Sequence, residues 1–197
     1  MCKSDLLDEL VMRGNGYLKT SDVIENGISK PYLSSYVLKN QMERVAHGVY
    51  ISKEVIPDVF FILSLRNSRI VFSLETSMYL NGMIDREPSV ITVTVPEGYN
   101  DAHLRNQGIR VVHTSEKLFS VGIASIETFQ GNTVPVYDRE RTICDLLRHK
   151  KDIDPQMFRT AMKEYMGSNK KNLFNLMNYA RVFGVEEEVR LCTEVML

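Results

Sequence analysis

Ser29–Lys53 reads SKPYLSSYVLKNQMERVAHGVYISK. Ser29 stands where an N-cap belongs, and Pro31 falls in the first helical turn, where its missing N–H costs nothing. Past Asn40 the pattern alternates, with Val45, Val49 and Ile51 on one face and a turn at Ala46–Gly48 that carries Arg44 and His47 to solvent. A short helix followed by a basic glycine hairpin is the second half of a winged helix-turn-helix.

Upstream residues supply the first half. SDLLDELVMRG places Leu6, Leu7, Leu10 and Val11 at helical spacing, with Ser4 as the expected N-cap and Gly14 beyond the end. GYLKTSDVIENG offers Thr20 or Ser21 as a cap for a short helix holding Val23 and Ile24, which Gly27 ends. The next helix starts within three residues, the tight turn of a helix-turn-helix. At ~100° per residue, its inner side should carry Leu33, Val37 and Leu38, and its outer side Tyr32, Ser35, Tyr36 and Lys39.

Charge sharpens this reading. The whole chain of 197 residues is balanced, 24 Lys and Arg against 25 Asp and Glu, so any attraction to a polyanion must be local. From Ile28 to Lys53 the cations Lys30, Lys39, Arg44 and Lys53 face one acid, Glu43. Residues 1–27 carry the opposite balance, Lys3, Arg13 and Lys19 against Asp5, Asp8, Glu9, Asp22 and Glu25. Positive charge thus gathers on the half that would meet phosphate. Exposed tyrosines and lysines also suit an ordinary solvated face, and a winged helix that binds only protein is a competing reading.

The remainder changes character. DVFFILSLRN after Pro57 predicts an apolar helix, and RIVFSLETSMYLNGM a further one with Ser73 as N-cap and Asn81-Gly82 at its end. SVITVTVPEG predicts a partly buried strand. GIRVVHTS and the runs Ser120–Ile126 and Thr133–Tyr137 add short strands, for a mixed or antiparallel sheet of about four. VYDRERTICDLLRHKK returns to helical period, with Asp138 as cap, Ile143, Leu146 and Leu147 facing inward, and a basic exterior. Three more segments, among them one with Leu173, Leu176, Met177, Ala180 and Phe183, predict a C-terminal helical bundle. The expected fold is α+β, with a winged helix-turn-helix domain over 1–55 and an α/β domain over 56–197.

Motifs of catalysis are missing. There is no GxxxxGK[ST], GxSxG or HExxH, and Asp85, Glu87 and Glu97 lack the acid-x-Lys partner of a nuclease centre. His103 and His113, beside Asp101, match no metal spacing. Cys2, Cys144 and Cys192 are odd in number and scattered, which fits neither a disulfide framework nor a zinc site and suggests reducing cytosol. Cys144 reads as a buried structural cysteine. No run approaches the roughly 18 apolar residues of a membrane span. The reading is a cytoplasmic protein that is not an enzyme, with no cofactor, no catalytic or metal residues and no membrane partner.

GYLKTSDV, GISKPYLSSYV and MERVAHGVYIS resemble the N-terminal domain of the AbiEi family, antitoxins and autorepressors of type IV (AbiE) toxin-antitoxin systems, which serve abortive infection in phage defence. Tyr137, Arg141, Thr142, Cys144, Asp145 and Leu146 resemble the family's C-terminal signature, so the likeness spans nearly the whole chain. The resemblance implies that Lys30, Tyr32, Ser35, Tyr36 and Lys39 read the major groove of promoter DNA at inverted repeats, while Arg44 and His47 touch the flanking backbone or minor groove. It also implies that the second domain counteracts a cognate nucleotidyltransferase-like toxin without forming a stable complex, through a surface of Arg139, Arg141, Thr142, Asp145 and Arg148. Against that surface stands a structural reading, in which Thr142 and Asp145 serve as internal caps and a buried ion pair. A regulator whose second domain senses a ligand or oligomerises, with no antitoxin role, is the alternative for the whole protein.

Overall fold

A computed structural model describes residues 2–196. The fold is mixed α+β and the chain forms two compact units. One comprises the chain up to Ser68 together with Glu127–Val134; the other comprises Arg69–Ile126 and the chain from Pro135 onward.

The first unit runs α1 (Lys3–Arg13), β1 (Tyr17–Lys19), α2 (Thr20–Glu25), α3 (Lys30–Lys39), β2 (Glu43–Ala46), β3 (Val49–Ile51) and α4 (Val59–Arg66). Cys2, not Ser4, is the N-cap of α1, and its N–H donates to the Asp5 carboxylate at 2.9 Å. The strands form an antiparallel sheet in the order β1-β3-β2, with Tyr17 opposite Ile51 and Ala46 opposite Val49. Strand β1 is the element that the sequence pattern did not predict, because three residues between two helices carry no readable period. Its alternation nevertheless splits the core. Leu18 joins Leu7, Val23, Ile28, Leu33, Tyr36 and Met42 among the helices, whereas Tyr17 joins Ala46, Val49 and Ile51 beside Phe61, Ile62 and Leu65 of α4.

Asp58 explains why residues 56–68 and 127–134 pack with the N-terminal elements, beyond the boundary expected at 55. Its fully buried carboxylate caps α4 through Phe61 N at 3.0 Å and accepts from Thr128 Oγ1 at 2.5 Å and Asn132 Nδ2 at 2.9 Å. A carboxylate taken from water needs such donors, so the loop and the start of α4 are held to one another.

The remaining elements are β4 (Val71–Phe72), α5 (Leu74–Leu80), β5 (Thr92–Pro96), α6 (Ala102–Arg105), β6 (Arg110–Thr114), α7 (Glu116–Phe119), β7 (Ile123–Glu127), β8 (Thr133–Tyr137), α8 (Arg139–Arg148), α9 (Pro155–Gly167), α10 (Leu173–Phe183) and α11 (Glu186–Met196), with Glu127 and Thr133–Val134 counted in the first unit. The sheet is mixed and five-stranded, β6-β5-β4-β8-β7, with β4 antiparallel to β5 and parallel to β8, and β5 parallel to β6. The additional strand is β4, which the sequence reading ran into the following helix. Two residues are too few to show alternation. Strand β5 is buried along its whole length, so both its faces are covered rather than one. Helices α5 and α8–α11 gather Met78, Ile143, Leu146, Ala161, Met162, Tyr165, Leu176, Ala180 and Val189 into one core, each such side chain contributing about 1.5–3 kcal/mol when large and aliphatic.

Candidate nucleic-acid interface

Helix α3 begins as its sequence dictates, with Ser29 at the N-cap in extended conformation and Pro31 in the first turn. Its buried residues are Leu33 and Tyr36. Two expectations are corrected here. Tyr36 is only 8% exposed, and its hydroxyl donates to Asp8 Oδ1 of α1 at 2.5 Å. Burial, with the Asp8 bond, holds that hydroxyl well above its ordinary pKa, as a neutral donor. Leu38, expected inside, is 81% exposed. The periodicity misassigned them because Tyr36 is a ring with a polar tip: the ring satisfies the core while the tip reaches a carboxylate.

The outward face of α3 is therefore Lys30, Pro31, Ser34, Ser35, Leu38 and Lys39, all exposed, with Tyr32 half-buried beneath the Lys3 ammonium at 5.7 Å from its ring. Of the residues predicted to face outward, Lys30, Ser35 and Lys39 do so, Tyr32 does so partly, and Tyr36 does not. Ser34 and Leu38 were missed. Their spacing, with Ser34 one turn and Leu38 two turns beyond Lys30, was the signal that could have found them.

The hairpin turns at His47-Gly48, where Gly48 adopts φ +68°, a left-handed conformation that most residues resist. A bulge between Arg44 and Ala46 breaks the register. Arg44 and His47 are both exposed, and an Arg44 Nη donates to His47 Nδ1 at 3.1 Å. A guanidinium can only donate, so Nδ1 accepts in this contact. Arg44 Nε also donates to the Ala46 carbonyl at 3.3 Å. The β2–β3 hairpin thus presents donors and positive charge in a fixed arrangement. Lys53 follows it, held to Gln41 Oε1 at 3.0 Å.

The predicted surface on α8 is mostly interior. Arg141 is 1% exposed, Thr142 wholly buried and Asp145 5% exposed. Arg141 donates to Asp145 Oδ2 at 2.9 Å and to the carbonyls of Leu118 and Val121 at 2.7 and 2.8 Å, with its guanidinium between the Tyr137 and Phe183 rings. Thr142 Oγ1 bonds the Asp138 carbonyl at 2.7 Å and Ser77 Oγ at 3.0 Å. Burial raises the Asp145 carboxyl pKa, opposed by the Arg141 charge. Three of five predicted residues therefore cannot form a working surface; Arg148 is exposed, and Arg139 is half-buried with its Nη1 on Ser168 Oγ at 3.0 Å. Cys144, read as structural, is buried, and its thiol is pushed up to about 12 by that burial.

Asp101, His103 and His113 assemble no centre. His113 Nε2 lies 2.9 Å from Asp101 Oδ2, the oxygen that also accepts from Arg105 Nε at 2.7 Å. The His113 bond, ahead of Arg105, lowers the Asp101 pKa. Among the described residues no group of three or more His, Cys, Asp or Glu side chains is placed to hold a metal ion, and no helix is long and apolar enough to cross a membrane.

Helices α2 and α3, a three-stranded sheet and a basic hairpin thus stand together in the N-terminal unit. Residues 5–53 match the family model described as transcriptional regulator, AbiEi antitoxin. In structure the chain is similar to the RV2827C protein from Mycobacterium tuberculosis, with a TM-score of 0.51 and 11% identity over 96% of this chain and 79% of that one. At that identity the likeness is one of fold. No curated protein matches the chain in sequence.

Proposed function

We propose that this protein is the antitoxin of a type IV toxin-antitoxin system and the repressor of its own operon. In this reading α3 enters the major groove at inverted repeats in the promoter, Lys30, Ser35 and Lys39 face the bases and phosphates, and Arg44 and His47 grip the flanking backbone. The carrying observation is the placement of charge: all four cations between Ile28 and Lys53 are exposed, around a helix-turn-helix of a regulator family. The second unit counteracts a nucleotidyltransferase-like toxin, without a stable complex and without catalysis of its own, in the cytoplasm. The exposed cations of α8 and the turn after it, Arg148, Lys150 and Lys151, support a polar encounter surface there.

The test uses the full chain with Lys30, Lys39 and Arg44 all replaced by Ala, expressed from an independent promoter beside the adjacent toxin gene. Repression of a reporter fused to the native upstream region should be lost, while growth rescue persists. Repression that survives the triple replacement rejects the DNA interface. Absence of rescue by the unaltered chain rejects the antitoxin role.

A further inference from the structure

Pro31, Ser34, Ser35 and Leu38 form one stripe of α3, at i, i+3, i+4 and i+7, the set a single helix can direct into one groove. Lys30 and Lys39 bracket this stripe. Its chemistry is narrow. Ser34 Oγ donates to the Lys30 carbonyl and Ser35 Oγ to the Pro31 carbonyl, each at 3.1 Å. A hydroxyl has one proton, so these two present only lone pairs outward and suit the amino groups of adenine N6 or cytosine N4. None of the four stripe residues is an Arg, Asn or Gln that could take guanine or adenine bidentately, and the nearby Asn40 and Gln41 amides are engaged with the Tyr36 carbonyl and with Lys53.

Leu38 remains, 81% exposed between groups that would neutralise phosphate. In the major groove the base edges display one apolar group, the thymine 5-methyl. We infer that Leu38 is a specificity residue that packs on a thymine methyl in the bound operator. This rests on the DNA-binding reading above and adds to it the base that the helix selects.

The test starts from a pool of random duplexes, from which full-length protein and its Leu38→Ala variant each enrich binders for sequencing. Within the enriched consensus, each thymine is then exchanged for uracil, which removes the methyl and leaves every hydrogen-bonding group. The unaltered chain should lose about fourfold in affinity at one thymine per half-site, the factor for one buried methyl-sized group, and Leu38→Ala should lose nothing further there. A consensus whose uracil sensitivity is absent, or equal in both proteins, overturns the role of Leu38 while leaving DNA binding intact. Failure of the unaltered chain to enrich any consensus overturns the DNA-binding reading itself. If Leu38→Ala changes only the solution mass by light scattering and not the base preference, Leu38 and the exposed Met12 instead form a contact between copies, and the inference fails.

Discussion

Arg141 donates through Nε to Asp145 Oδ2 at 2.9 Å, one turn along α8, with both side chains almost wholly out of solvent. The pair sits in α8, and its burial makes that stretch a packing device. Removing one partner of a buried pair strands the other charge, at a cost of about 3–5 kcal/mol. Asp145→Ala should therefore lower stability by that order in urea unfolding, whereas Arg148→Ala, at an exposed site, should stay within about 0.5 kcal/mol. Any loss of antitoxicity in Asp145→Ala should follow the loss of folded protein. Full stability with lost antitoxicity would return Asp145 to a direct role.

Gly122 tests the same hub from outside. It adopts φ +74°, and a Cβ there would lie 2.6 Å from the Arg141 Cβ. Gly122→Ala should cost the left-handed penalty of about 1–2 kcal/mol plus a clash against a buried side chain held by Asp145 and two carbonyls. Gly108, at φ +77° with open space around it, supplies the control that bears only the first part. Equal losses for the two alanine variants would mean that Arg141 can yield.

How far the sequence was legible follows from these residues. Ser29, Ser73 and Asp138 stand at the expected N-cap positions of α3, α5 and α8, since a cap acts through one or two adjacent positions, yet only the Asp138 side chain makes the capping bond, to Arg141 N. Strands β1 and β4 stayed hidden because so few residues carry no period, although each is buried in its sheet. In the candidate site, charge position was readable and facing was not: a helical wheel ranks Tyr36 by its hydroxyl and Leu38 by its hydrocarbon, whereas the tertiary partner of the first is Asp8 and the second has none within its own domain core. Arg141 was expected on a working surface and is buried instead, because burial of a guanidinium depends on carbonyls at Leu118 and Val121, some twenty residues away in sequence.

Tyr36 now separates folding from recognition. Tyr36→Phe removes the hydrogen bond to Asp8 and leaves the ring in the core, so stability should fall by about 1 kcal/mol with no change in base preference. Ser35→Ala should do the reverse, relaxing the preference at one position by about 1–3 kcal/mol at unchanged stability. Competition binding with single-base variants of the enriched duplex, alongside urea unfolding, reads both. A base-specific defect in Tyr36→Phe would mean that the ring leaves the core on DNA.

Arg44 should act on all duplexes alike. Placed on the wing and engaged with His47, it is assigned to phosphate and carries no base information. Arg44→Ala should weaken operator and random DNA by the same factor and reduce the slope of log affinity against log salt by about 0.9, the value for one phosphate contact. Fluorescence anisotropy across a salt series measures this. A slope unchanged by Arg44→Ala would take the wing off the phosphate backbone.

The three cysteines give a chemical reading of the packing. Cys2 is exposed, Cys192 is half-buried with its thiol pKa raised by burial, and Cys144 is fully buried with its thiol pushed up to about 12. The thiolate is the attacking species, and burial both disfavours it at Cys144 and excludes the reagent. Ellman's reagent should therefore label Cys2 rapidly, Cys192 slowly and Cys144 only as the protein unfolds, with all three reacting together in guanidinium chloride. Cys2→Ser should abolish the rapid phase. Raising the pH from 7 to 9 should speed the Cys192 phase as its thiolate fraction grows, yet leave Cys144 silent, because its limit is opening of the core formed with Leu146, Leu176 and Ala180 rather than ionisation alone. Labelling of Cys144 at the rate of Cys192 in native buffer would show that the α8–α10 packing opens far more readily than its buried contacts allow.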